Sequence, residues 1–147
     1  MISNSQNFVV QPAIEADSKN AASWAVVEID TVQNNSKAEY LTVYFMTGNA
    51  IGANMTALKL QESDTSGSGF ADITGAAFTG SDLPQSGDTN KVWAFYVRTA
   101  PGRKRYIQLV ATAGSSATDG AALAVFNPIG VGPINDTERG LSKSVIV

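Results

Sequence analysis

Apolar residues in this chain recur at every second position, in short runs broken about every ten residues by clusters of Gly, Ser, Asn, Asp and Pro. A period of two puts successive side chains on opposite faces of an extended strand, so the pattern calls for β-sheet; helical periodicity is hard to find. Residues 39–47, Glu-Tyr-Leu-Thr-Val-Tyr-Phe-Met-Thr, carry the strongest signal. They set Leu41, Val43 and Phe45 against Tyr40, Thr42, Tyr44 and Met46. Both sets are bulky, so both faces of this strand are expected to be covered. Residues 22–32 read as a strand with Ala25, Val27 and Ile29 on one face and Trp24, Val26 and Glu28 on the other. Residues 55–62 read as a half-buried strand, Leu58 and Leu60 inward, Lys59 and Gln61 outward. Residues 70–73 and 76–79 are two short candidates, and residues 121–126 a last strand. Between residues 92–99 and 103–113 stands Pro101-Gly102, which suits a type II turn and predicts a hairpin. Pro12 cannot donate to a ladder, which makes residues 8–14 an edge strand or an arm.

About eight strands joined by turns, with no βαβ alternation, predict an all-β fold: a β-sandwich, built as a jelly roll of antiparallel strands with extended N- and C-terminal arms. The expected division is an N-terminal arm over residues 1–14, the sandwich over 15–127 and a C-terminal tail over 128–147. That tail is Gly/Pro-rich, then polar, then apolar at Val145, Ile146 and Val147. No repeat of solenoid or propeller length occurs. The 147 residues suit one domain, and a chain of this size hides roughly 68–70% of its unfolded surface, enough for a core without cross-links.

Composition removes several chemistries. With no Cys and no His, disulfides, thiolate or imidazole metal sites and histidine-served nucleophiles are excluded. Ten Lys plus Arg against thirteen Asp plus Glu give a net charge of −3, which argues against nucleic acid as a partner. No apolar stretch approaches the roughly 20 residues of a spanning helix and no secretory leader is apparent, so a soluble, unexported product with no membrane partner is expected. The Asn-x-Ser/Thr triplets at Asn34, Asn54 and Asn135 are then chance matches.

Carboxylates are scattered, and only Glu28, Glu39 and Glu62 fall inside expected strands. A glycosidase needs two facing across a cleft, one with a raised pKa; solvated strand and turn residues are the plainer account. Asp64-Thr-Ser-Gly-Ser-Gly alternates oxygen-bearing residues as a calcium loop does, but lacks the Asp/Asn repetition and the bidentate Glu, and reads as a turn. No catalytic, cofactor or metal residue is therefore assigned, and no enzyme is expected. Arg98, Arg103, Lys104 and Arg105 place four of the ten basic residues within eight positions. They offer a docking contact for an acidic protein surface or phosphates, or a charged turn that guards an edge strand. Trp24, Trp93, Tyr40 and Tyr44 are either sugar-stacking platforms or core and interface packing.

An ordered series of short motifs adds a resemblance. Leu60-Gln-Glu-Ser-Asp-Thr is followed by Gly69-Phe-Ala-Asp-Ile, then Phe78-Thr-Gly, then Val97-Arg and Arg103-Lys-Arg-Tyr-Ile-Gln-Leu. Over residues 22–126 the chain resembles the capsid decoration, or cement, proteins of tailed phages; it departs from their pattern in reading Ala94-Phe-Tyr-Val-Arg before the basic stretch. The resemblance implies a jelly-roll-like virion protein, assembled in the host cytoplasm, that binds the capsid exterior as a homo-oligomer, dimer or trimer, and stabilises the major capsid protein shell. Arg98, Arg103, Lys104, Arg105, Val145, Ile146 and Val147 are the expected partner contacts. A carbohydrate-binding module on a head or tail fibre is the alternative.

Overall fold

The computed structural model describes residues 9–33, 36–37, 39–99, 101–127 and 142–147. The described chain is almost entirely β, as the alternation requires. Its strands are β1 (Val9–Lys19), β2 (Ile29–Asp30), β3 (Val32–Gln33), β4 (Ser36–Lys37), β5 (Tyr40–Ile51), β6 (Ala57–Ser63), β7 (Ala71–Ala77), β8 (Val92–Arg98), β9 (Tyr106–Thr112), β10 (Thr118–Asn127) and β11 (Lys143–Ile146). One sheet runs β1-β10-β5-β8-β11 and the other β2-β9-β6-β7, while β3 and β4 form a small ribbon. All pairings are antiparallel except β11 with β8. Four of the antiparallel pairs are nested: β6 with β7 lies inside β5 with β8, that inside β2 with β9, and that inside β1 with β10. Successive nested pairs alternate between the sheets, so the chain repeatedly crosses from one layer to the other.

The two layers close on one core. Leu41, Val43, Phe45, Trp93 and Phe95 come from the five-stranded sheet, and Leu58, Leu60, Ile73, Ile107 and Leu109 from the four-stranded one; all are buried. Phe78 meets Phe95 edge-on across the layers with centroids 4.9 Å apart, and Trp24 meets Phe45 at 5.7 Å, the tilted geometry aromatic pairs favour.

Several local expectations change. Residues 22–28 are not a regular strand: single bridges join Ser23 to Thr112 and Val26 to Ile14, and Trp24, not Ala25, is buried. β7 is one strand with a register irregularity against β6, not two short pieces. Pro101-Gly102 does turn, with Gly102 at φ +103°, a conformation that favours glycine. The turn is not a hairpin, because β8 pairs with β5 and β11 while β9 pairs with β2 and β6 in the other sheet. At the N-terminal side, Val9 to Ile14 belong to edge strand β1, and Ala13 and Ile14 enter the core, so the expected arm boundary at residue 14 falls inside a strand. Residues 1–8 of that arm and 128–141 of the tail lie outside the described residues.

Candidate functional site

The basic residues separate as the chain crosses between layers. Arg98 ends β8 opposite Tyr40, exposed, with no ion-pair partner among the described residues. Arg105 instead makes a fork on Asp30, Nε to Oδ1 at 2.9 Å and Nη2 to Oδ2 at 2.7 Å, and lies over the Tyr106 ring at 5.0 Å. The Arg105 carbonyl is fixed in turn by the Thr31 N–H and hydroxyl, at 3.0 and 2.7 Å. The Arg105 hydrogen bonds hold the Asp30 carboxyl below its ordinary value despite some burial, and the same pairing raises Arg105. Glu62 accepts the Lys104 backbone N–H at 3.2 Å and lies 3.6 Å from Arg103. Arg103 and Arg105 thus pair with carboxylates of their own chain and Arg98 stands apart on the other sheet, so the four basic residues do not gather into one knot.

The C-terminal apolar trio splits as well. β11 runs beside β8, with the Val147 N–H donating to the Tyr96 carbonyl and the Arg98 N–H to the Val147 carbonyl, both at 2.9 Å. Strand alternation turns Val145 and Val147 onto the core and leaves Ile146 outside. Two of the three expected partner contacts therefore pack, half-buried, against this molecule's own core.

Trp24 and Trp93 are buried, their indole N–H groups donating to the carbonyls of Asp17 and Asp82 at 3.0 Å. Neither offers a ring face to a sugar. Glu28 precedes β2 and binds the 64–69 turn, accepting from the Ser66 hydroxyl at 2.6 Å and the Gly67 N–H at 2.7 Å. The loop that mimics a calcium site is held by that carboxylate, and among the described residues no group of three potential acidic, His or Cys ligands converges. Asp72 is held below its ordinary value by hydrogen bonds from Lys59 and Gln61. A glycosidase acid requires a shift the other way.

What sequence reading did not isolate is the outward face of the five-stranded sheet. Its register aligns Val10, Val125, Thr42, Tyr96 and Ile146 in one row across all five strands, and Pro12, Leu123, Tyr44, Ala94 and Ser144 in the next. Val10, Leu123 and Ile146 are 57, 39 and 83% exposed and Thr42, Tyr44, Tyr96 and Val125 half-buried, while Ala94 is buried among them, so apart from Ala94 this is part-exposed apolar surface rather than core. The outward face of the four-stranded sheet obeys the usual polar alternation, with Lys59, Gln61, Asp72 and Gln108 hydrogen-bonded to one another. The signal was present in the two bulky faces of residues 40–46: Leu41, Val43 and Phe45 are buried, whereas Tyr40, Thr42, Tyr44 and Met46 stay half-buried. At one end of the apolar face lies an open cavity of about 300 Å³, lined among others by Met46, Gly48, Asp119 and Ala121.

Among the described residues no helix is long and apolar enough to cross a membrane. No family model, no curated protein and no solved structure matches the chain.

Proposed function

We propose that this chain is a non-enzymatic virion protein that binds the outside of a phage capsid and cements its major capsid protein shell, on a jelly-roll scaffold. The nested pairing of β1·β10, β2·β9, β5·β8 and β6·β7, distributed alternately over two four-stranded layers with β11 added at an edge, supports the jelly-roll reading. Such folds serve capsids, lectins and other proteins alike, so the fold alone does not select the role.

The observation that carries the reading is the convergence of the motifs that give the chain its resemblance to decoration proteins. Glu62 of Leu60-Gln-Glu-Ser-Asp meets Arg103 and Lys104 of the Arg-Lys-Arg-Tyr stretch. Gln61 of the first motif donates to Asp72 of Phe-Ala-Asp-Ile at 2.7 Å and accepts from Gln108 at 2.8 Å. Three weak matches, separated in sequence, are therefore parts of one bonded unit on β6, β7 and β9. A cement protein needs a rigid body and docking surfaces rather than a reactive group, and many copies on one shell add avidity to contacts that are individually modest. Purified chain sedimented with mature shells that lack it is expected to bind saturably, at a copy number set by icosahedral symmetry. Shells left bare at excess chain overturn the proposal and turn attention to glycans.

A further inference from the structure

We infer that the apolar outward face of the five-stranded sheet is the seat of a second copy of this chain, packed face to face about a two-fold axis. Solvent-facing sheet surfaces of antiparallel sandwiches are normally polar, and the neighbouring sheet follows that rule. Here two complete rows across five strands carry only Thr42 and Ser144 as non-aromatic polar side chains. A charge-poor surface of this kind suits an equally apolar partner.

The charges at its two ends point to a copy of itself. Arg98 projects at the Tyr40 end of β8, without an ion-pair partner among the described residues. Asp119 lies at the opposite end, on β10, lining the open cavity; its Oδ2 accepts the Ala50 N–H at 3.1 Å. The other carboxylate at that cavity, Asp17, is already paired with Lys19. β8 and β10 flank the central strand β5 on either side. A two-fold axis lying in the interface and passing near Tyr44 therefore exchanges the two ends and brings each Arg98 to the other copy's Asp119 cavity. From strand spacing and rise, the strands of the two copies then cross at roughly 40°, near the roughly 30° of aligned sheet packing. Such an isologous arrangement forms both ion pairs at once and closes at two subunits. The face measures about 24 by 20 Å, about 1,000 Å² buried over both copies, the lower bound for a specific contact. A weak, concentration-dependent dimer is the result. It would also cover the second bulky face of residues 40–46.

Sedimentation velocity of the full chain over a wide range of concentrations tests this without any capsid, so its outcome is separate from that of the decoration proposal. The wild-type chain is expected to pass from monomer to dimer with rising concentration. Ile146→Asp, at a position so exposed that folding does not depend on it, is expected to weaken dimerisation at least tenfold with an unchanged thermal midpoint. Arg98→Glu is expected to weaken it as well, with a loss that shrinks as salt is added. A chain that stays monomeric throughout, a trimer, or a dimer indifferent to both substitutions overturns the inference.

Discussion

Trp93 illustrates what a single side chain reveals before and after folding. Its sequence neighbours allow a core residue or an exposed platform, because alternation assigns it a face but not which face is inside. The structure places the indole in the core with its N–H on the Asp82 carbonyl. Trp93→Ala is accordingly expected to cost about 3–5 kcal/mol in urea unfolding. Asp30 and Arg105 are a second case: 75 positions apart, they could not be paired from the sequence. The pairing depresses the folded carboxyl below its ordinary value of 3.8, so its stabilisation is present above that value and is lost as pH falls through the lower, folded one. Asp30→Asn should therefore melt below the wild type at neutral pH. The gap should narrow on acidification to below about pH 4, read from thermal midpoints of both proteins across that range.

At the scale of the element, strand existence was legible and strand partnership was not. β5 and β6 were plain, since Leu41, Val43, Phe45, Leu58 and Leu60 alternate without interruption and all are buried. Residues 22–28 misled because alternation there reflects two isolated bridges rather than a ladder. Pro101-Gly102 misled differently: turn chemistry reports a reversal of the chain, not whether the returning strand joins the same sheet. β11 makes the same point in reverse. A four-residue run, Lys143–Ile146, is too short to stand out in sequence, yet it adds a parallel edge to β8. Its alternation predicts a contrast between neighbours. Val145→Asp, which places a charge against the core, is expected to lower stability by about 2 kcal/mol or more. Ile146→Asp is expected to stay within about 0.5 kcal/mol, both compared by denaturant titration.

For the whole molecule, the two outward sheet faces differ in kind. One is a hydrogen-bonded polar lattice that joins Lys59, Gln61, Asp72 and Gln108; the other is an apolar floor with Arg98 and Asp119 at opposite ends. The all-β sandwich could be read from period and turn spacing alone. The site could not, because a strand's sequence shows that both its faces are bulky without showing which neighbours complete each face. The expected contact set was drawn from residues close in sequence, and folding sent Arg98 and Ile146 to one sheet, Arg103 and Arg105 to the other, and Val145 and Val147 to the core.

The decoration account stands most directly on whether the chain strengthens a shell. Mature shells lacking it should be heated with and without saturating chain, and the temperature at which they release their contents recorded. The account predicts a higher failure temperature that rises with occupancy and levels off at saturation. Shells that bind the chain yet fail at an unchanged temperature would contradict cementing.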